Sequence, residues 1–377
     1  MTKKVLVTGG AGFIGSHLVD DLVIQKGHEV TIIDTLEEQV HGKLKHPPIY
    51  LNKAAKFYRS SVTDYKTLSD LVQDTDIIFH LAAKVGVGQS MYKIKEYIDN
   101  NIVGLGNLLD ILINSPHNVK KVILASSNTV YGEGKSVCDK CGIVFPELRT
   151  KGQLKSQIWD LKCPNCGLSV KPLLTGEDSL LNPSSIYAYT KLAQEKIGLM
   201  IANTYGIKMS ILRFFLVYGP RQALSNPYTG VCSIFCTRAL NGKPPIIFED
   251  GKQTRDFVNV RDVCQALVLA MEKAEANGEI FNVGTGVPMT IAEVADIITQ
   301  KVNPNLKPIS NLNYRIGDIR HCVADISKIK EKLGFSPMLS FREGIDNFIN
   351  WVKSQKEDIK KPSDIAIQEL KEKGLLK

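Results

Sequence analysis

Tyr187 and Lys191 stand four positions apart, so on a helix they share one face. A lysine ammonium beside a phenol favours the phenolate. That phenolate can take a proton from an alcohol near neutral pH. Ser127, at the end of the apolar run that opens at Lys121, is placed to hydrogen-bond the same alcohol oxygen. Between serine and tyrosine the chain carries Cys138-x-x-Cys141 and Cys163-x-x-Cys166, each second cysteine followed by glycine. Four thiolates at this spacing suit a closed tetrahedral structural zinc site. A pair of disulfides or a redox couple is the other reading of the same residues.

A tyrosine and a lysine on a surface helix would mean little without elements to aim them. The N-terminus supplies these. Val5-Leu6-Val7-Thr8 is a short apolar run, followed by Gly9-Gly10-Ala11-Gly12-Phe13-Ile14-Gly15, then helical periodicity, then the strand Val30–Asp34. Gly9 permits a tight turn, Gly12 lets backbone approach a pyrophosphate, and Gly15 lets helix and strand pack closely. The helix N-terminus then faces the phosphates. Asp34 can accept both ribose hydroxyls, and Thr35-Leu36-Glu37 offers no cation for a 2′-phosphate, so NAD is favoured over NADP. Further strands are predicted at Ile77–Leu81 and Lys121–Ala125, with helices at Tyr65–Val72 and Tyr97–Ile113. This alternation predicts an α/β fold, a doubly wound parallel Rossmann sheet. Ligands in such sheets sit at the carboxyl ends of strands, where Leu81, Ala82, Ala83 and Ser127 fall.

At 377 residues and 44% hydrophobic, the chain can bury a large core. Its net charge of +8 is spread over scattered lysines, the pattern of a solvated surface. No run approaches the 18 apolar residues of a membrane span. A strand beginning within the first residues leaves no room for a signal peptide, so a cytoplasmic protein is expected. Cys232, Cys236, Cys264 and Cys322 are isolated and read as small apolar fillers.

The ordered set of motifs resembles the extended short-chain dehydrogenase/reductases of the nucleotide-sugar epimerase/dehydratase family. It comprises Thr8-Gly9-x-x-Gly12-x-x-Gly15, His80-Leu81-Ala82-Ala83, Asn101, Ser127-x-x-Val130-Tyr131-Gly132 and Asn182-Pro183-x-Ser185-x-Tyr187-x-x-x-Lys191. Val217-Tyr218-Gly219-Pro220-Arg221-Gln222, Thr254-Arg255-Asp256, Asn282-Val283-Gly284 and Arg315-x-Gly317-Asp318-x-Arg320 follow. The resemblance implies catalytic Ser127, Tyr187 and Lys191. It implies cofactor contacts from Gly9, Gly12, Phe13, Ile14, Gly15, Asp34, Ser61, Val62, Leu81, Ala82, Ala83 and Asn101. It also implies Arg221, Arg255, Arg315 and Asp318 on a nucleotide-diphosphate sugar. Two positions depart from the family pattern. The usual adenine-contacting aspartate before Val62 is Ser61, and the usual asparagine before Val217 is Leu216.

Family members that eliminate water carry an Asp-Glu pair right after the hydroxyl residue, and decarboxylating members usually keep the glutamate. Here those positions are Asn128 and Thr129. Simple inversion at C4 is therefore expected, by oxidation to a 4-keto sugar and return of the hydride to the other face. A reductase that releases its cofactor, or a catalytically idle zinc-ribbon interaction protein, are the competing readings. The insert narrows the resemblance. Glu147-Leu148-Arg149, Trp159 and Cys163-Pro164-x-Cys166-Gly167 look like the ribbon of the dTDP-L-rhamnose 4-epimerase type, as do Gln222 to Gly230 and the terminal Ser363-Asp364. That implies conversion of dTDP-L-rhamnose to dTDP-6-deoxy-L-talose, with a UDP-hexose or UDP-N-acetylhexosamine as the alternative substrate. The ribbon lacks a basic-aromatic stripe, so nucleic acid is not expected as a partner. A lid or dimer contact is. The expected organisation is an NAD-binding domain over 1–215, with 255–285 returning to it, and a zinc-ribbon insert at 136–172. A substrate domain over 216–254 and 286–350 and a C-terminal helix or tail over 351–377 complete it. Helices Tyr97–Ile113 and Tyr187–Asn203 could form a homodimer contact.

Overall fold

The structure is a computed structural model of the chain and describes residues 1–224, 230–355 and 365–377. Ser225–Thr229 and Ser363-Asp364, both within the expected ribbon-type signature, lie outside the described residues.

Seven parallel strands form the central sheet, in the order Ile280–Val283, Met209–Phe214, Lys121–Ser127, Ile77–His80, Lys4–Thr8, Glu29–Asp34 and Lys56–Arg59. Strand order reverses between Lys4–Thr8 and Ile77–His80, which pair with Thr8 opposite His80. Ligands of open α/β sheets bind at such a reversal, beyond the strand C-termini. The expected α/β doubly wound sheet is therefore present. The central strands are buried along their length because both faces are covered: every residue of Lys121–Ser127 and of Met209–Phe214 is buried, Lys121, Ser126, Ser127, Ser210 and Arg213 included.

Two apolar clusters flank the sheet. One holds Val5, Leu18, Ile32, Phe79 and Ile123, and the other Leu6, Leu68, Leu108 and Leu124. The helix expected at Tyr97–Ile113 is not uniform. Its stretch Ile98–Val103 widens into π-helical turns before regular helix resumes at Gly104–Asn114. π-Bulges often mark functional positions, and this one carries Asn101.

A third cluster, of Tyr218, Phe235, Phe257, Ile298, Phe341 and Phe348, sits apart from the sheet. One segment departs from the organisation expected above. Ile319, Cys322, Ala324, Ile326, Ile329, Leu333 and Phe335 pack into the first sheet cluster rather than the third. The helix Ser327–Leu333 turns Ile329 and Leu333, spaced i and i+4, inward, and packs along the sheet's terminal strand Ile280–Val283. The insert forms its own small antiparallel sheet of Gly142–Val144, Ser136–Cys138 and Lys171–Pro172. No described helix is long and apolar enough to cross a membrane.

Candidate active site

A cavity of about 470 Å³ opens at the C-terminal edge of the sheet. Gly9, Gly12, Phe13, Ile14 and Gly15 line it, together with Asp34, Ser61, Val62, Leu81, Ala82, Ala83, Ser127, Tyr187 and Lys191. The glycine turn is tight enough to exclude side chains. A Cβ on Gly15 would stand 2.3 Å from the Gly9 carbonyl oxygen, below any real contact. The Asp34 carboxylate accepts the Ala11 amide at 3.1 Å and the Leu36 amide at 2.9 Å. It is thus held rigidly at the cavity rim with lone pairs to spare. This cradle, with a carboxylate at the end of the second strand and the helix Phe13–Asp20 opening beside it, suits a dinucleotide bearing a free ribose diol.

Asn101 does not reach this cavity. Its side chain accepts the Lys84 amide at 2.8 Å and donates to the Lys84 carbonyl at 3.1 Å and to Thr190 Oγ1 at 2.9 Å. Every polar atom is therefore spent, and its role here is to fix the strand-end loop carrying Ala83. Lys84, which sequence reasoning missed, lines the cavity and pairs with Glu37 at 2.9 Å and Glu96 at 3.4 Å. Ser61 turns its hydroxyl to Thr63, 2.8 Å away.

The catalytic candidates converge. Tyr187 and Lys191 lie on the helix Ile186–Tyr205, which Ser185 caps by accepting the Ala188 amide at 3.1 Å. The cap starts the helix one residue before Tyr187 and so sets the phenol's phase. Lys191 Nζ donates to the Ala125 carbonyl at 2.9 Å. Burial lowers its pKa to about 8, partly opposed by Glu195. Burial also pushes the Tyr187 phenol up to about 12, against which only its hydrogen bond with Ser127 works. Ser127 Oγ in turn accepts the Thr129 amide at 3.3 Å and the Thr129 hydroxyl at 3.0 Å. Its own proton is left to face Tyr187. Thr129 therefore buttresses the serine at a position where dehydratases hold an acid, and Asn128 is buried against the Cys322 thiol. Among the described residues, the acids on the cavity wall are Asp34 and Glu37 alone.

The residues expected on a nucleotide diphosphate separate into two places. Arg255 and Arg315 share the Asp318 carboxylate, at 3.2 and 3.0 Å. Burial would raise the Asp318 acid, but Arg315, Arg255 and Arg149 outweigh it and hold its pKa low. Arg221 is not in this group. It adopts a φ of +66° and turns to Asp20 at 2.8 Å and over the Tyr50 ring. Tyr50 donates to the Ala11 carbonyl, so Arg221 ties the 220 turn to the glycine turn. Beside Asp318 lies a buried charge cluster that sequence reasoning did not find. Arg149 meets Glu249 at 2.7 Å, and Arg320 meets Glu249 at 3.1 Å and Asp250 at 2.6 Å. Glu133 receives the Arg320 amide at 2.6 Å. Burial pushes the Glu133 carboxyl up to about 7, against the opposing pull of Arg149.

The four cysteines of the insert also converge. One sulfur from each of Cys138, Cys141, Cys163 and Cys166 lies within 4.8 Å of the others. Gly142 and Gly167, after each second cysteine, adopt φ of +73° and +75°, the left-handed turn that suits glycine. Burial pushes the Cys163 thiol up, but the Asn165 and Cys166 amides and neighbouring thiols bring it down to about 7. Four mutually close sulfurs fit one tetrahedral ion better than two separate disulfides.

The sequence model of the family described as NAD dependent epimerase/dehydratase matches residues 5–145 and 169–284. The break in that match falls inside the cysteine insert. A dTDP-L-rhamnose 4-epimerase of Burkholderia thailandensis is 34% identical, over 94% of this chain and 96% of its own length. A UDP-N-acetyl-alpha-D-glucosaminuronate decarboxylase of Bacillus cytotoxicus is 32% identical, over 95% of this chain and all of its own. Among solved structures, a UDP-glucuronic acid 4-epimerase of Bacillus cereus, in complex with UDP-glucuronic acid and NAD, superposes with a TM-score of 0.75. It is 30% identical, covering 93% of this chain and 99% of that one.

Proposed function

The chain belongs to the NAD-dependent epimerase/dehydratase family, and from that premise we propose that it inverts C4 of a nucleotide-diphosphate sugar. Tyr187 takes the proton of the C4 hydroxyl, Ser127 hydrogen-bonds the same oxygen, and Lys191 holds positive charge behind the phenol. NAD, held by Gly9, Gly12, Gly15 and Asp34, supplies the hydride acceptor and donor when bound. The sugar loses the C4 hydroxyl proton to Tyr187 and a hydride from C4; the hydride returns to the opposite face of the C4 carbonyl and the proton to its oxygen. The supporting observation is the wall beside Ser127. Asn128 and Thr129 are neutral and already hydrogen-bonded to Cys322 and Ser127, so neither can serve as the acid that expels a C6 hydroxyl.

A substrate already deoxygenated at C6 needs no such acid. We propose dTDP-L-rhamnose and dTDP-6-deoxy-L-talose as the pair, supported by the 34% identical Burkholderia relative. A UDP-hexose is the second reading, supported by the UDP sugar in the Bacillus cereus structure. The four cysteines are proposed to hold one structural zinc, and the protein to be a homodimer. Exposed Ile94, Ile98, Val103, Tyr189 and Met200, on adjoining helices, support the latter. Incubation with dTDP-L-rhamnose and with UDP-glucose in deuterated water, followed by separation of products, tests the reading. One C4 epimer without deuterium at C4 or C5 is expected. Deuterium at C5, or a 4-keto-6-deoxy product from a 6-hydroxy sugar, would place the chemistry elsewhere.

A further inference from the structure

Arg149 lies within the stretch that breaks the family match, yet its side chain is only 1% exposed. It cannot touch a ligand from there. Its guanidinium instead spans two parts of the molecule. Nη1 meets Glu249 at 2.7 Å, and Nη2 donates to the Asp318 carbonyl at 2.9 Å. Asp318 is the residue whose carboxylate holds Arg255 and Arg315 together. The same loop is gripped at two more points from the insert. The Trp159 ring packs on Tyr314, with centroids 6.2 Å apart, and Asp160 pairs with Arg320 at 3.2 Å. Both chain segments that enter this cluster run directly into the cysteines. Glu133 leads to Cys138, and Trp159 and Asp160 lead to Cys163. The four-cysteine knot therefore fixes the spacing between Glu133, which holds the Arg320 amide, and Asp160, which holds the Arg320 side chain.

We propose that Arg149 is a positioning residue for the nucleotide-diphosphate site, and that the cysteine insert is the platform that carries it. This rests on the assignment of Arg315 to the diphosphate made above. Arg149 fixes the backbone at Asp318, and Asp318 holds the half-exposed Arg315 fork that meets the phosphates, while Arg255, whose two Nη atoms are bonded to Thr254, Arg320, Ile319 and Asp318, fixes the same loop. The insert thereby acts on substrate affinity without contacting substrate and without touching the proton-transfer residues.

The test is calorimetric binding of dTDP and UDP to the NAD-loaded enzyme, alongside steady-state kinetics. Arg149→Lys keeps the charge but loses the planar fork that serves Glu249 and Asp318 together. It should weaken nucleoside-diphosphate binding about tenfold and raise KM by a similar factor, with kcat within about twofold. NAD content should be unchanged. Trp159→Leu, which leaves the buried charges paired, should act in the same direction, and it carries the test alone if Arg149→Lys does not fold. Removing metal from wild type with a chelator should weaken dTDP or UDP binding by a comparable factor while NAD stays bound. Wild-type binding in folded Arg149→Lys and Trp159→Leu would overturn the inference alone. So would a fall in kcat at constant KM. A wild type that binds neither nucleotide would overturn the parent assignment as well.

Discussion

Replacing Lys191 with methionine isolates one charge in the proposed proton transfer. Lys191 is buried, one helical turn from Tyr187, with its Nζ on the Ala125 carbonyl, and methionine is close to it in length and volume. Burial pushes the phenol up to about 12. A unit charge ~5 Å away, at an effective dielectric of ~20, is worth about 3 kcal/mol. That corresponds to about 2 pK units. Losing Lys191 should raise the phenol by about 2 units in the loaded enzyme and cut the phenolate fraction near pH 7 by about 100-fold.

The pH dependence has a second signature. Burial lowers the Lys191 ammonium to about 8, so its charge is present below that pH and fades above it. Wild-type kcat/KM should rise with pH and then bend downward near 8, and Lys191→Met should lack that bend. The assay is kcat/KM for C4 inversion from pH 6 to 10, with bound NAD measured by release on denaturation and folding followed by thermal melting. An unchanged rate with the same bend near 8, in a variant retaining NAD, would refute the electrostatic role of Lys191.

Protein purified without chelator should carry about one zinc per chain, and Cys163→Ser should lose it while the main sheet stays folded. Elemental analysis and melting curves check both, and four free thiols in an active, metal-free protein would end the zinc reading. Glu195 accepts both Nε and Nη2 of Arg213, at 2.9 and 2.7 Å, and the Ser126 hydroxyl. Glu195→Gln breaks a fully buried pair and should cost about 3–5 kcal/mol in urea titrations; a loss within error would show that the pair is not what holds this helix to the sheet. His80 is buried and its pKa falls to about 3 because burial opposes its charge. It is neutral when folded, so its contribution is whole above the unfolded value and is lost as pH falls. His80→Gln should gain on wild type by about 1.4 kcal/mol for each pH unit below about 6.5. A constant gap between the two from pH 7 to 5 would count against this.

The sheet was legible because its strands are short apolar runs bounded by glycines, charges and strand-end motifs, and both faces had to be covered. The cavity wall was legible for the same reason: its residues sit on or next to those strand ends. The exceptions have identifiable causes. Asn101 belongs to the motif set, but its amide is consumed by Lys84 and Thr190, a pairing across 17 and 89 positions that spacing cannot show. Arg221 sits beside a proline-ended turn whose backbone takes φ of +66°, and this swings the side chain to Asp20. Arg149, Glu133, Glu249 and Arg320 are ordinary charged residues in sequence, separated by up to 187 positions, and only their joint burial reveals them. The segment 319–335 was assigned by order along the chain, whereas its isoleucines and leucine follow the uncovered edge of the sheet.

In the proposed reaction the site divides its labour in space. Proton chemistry falls to a buried serine, tyrosine and lysine beside neutral Asn128 and Thr129, whereas Arg255 and Arg315, the arginines expected on the phosphates, are tied into a separate ionic cluster around Asp318. Burial pushes the Tyr187 phenol up, and the same burial makes a neighbouring positive charge count for more, because the surroundings screen it little. A carboxylate at position 128 or 129 would change this arrangement. It would place an acid where C6 chemistry becomes possible. The neutral pair is therefore not merely the absence of dehydratase equipment. Asn128 is engaged with Cys322, and Thr129 donates to Ser127 and so leaves the serine's own proton for Tyr187.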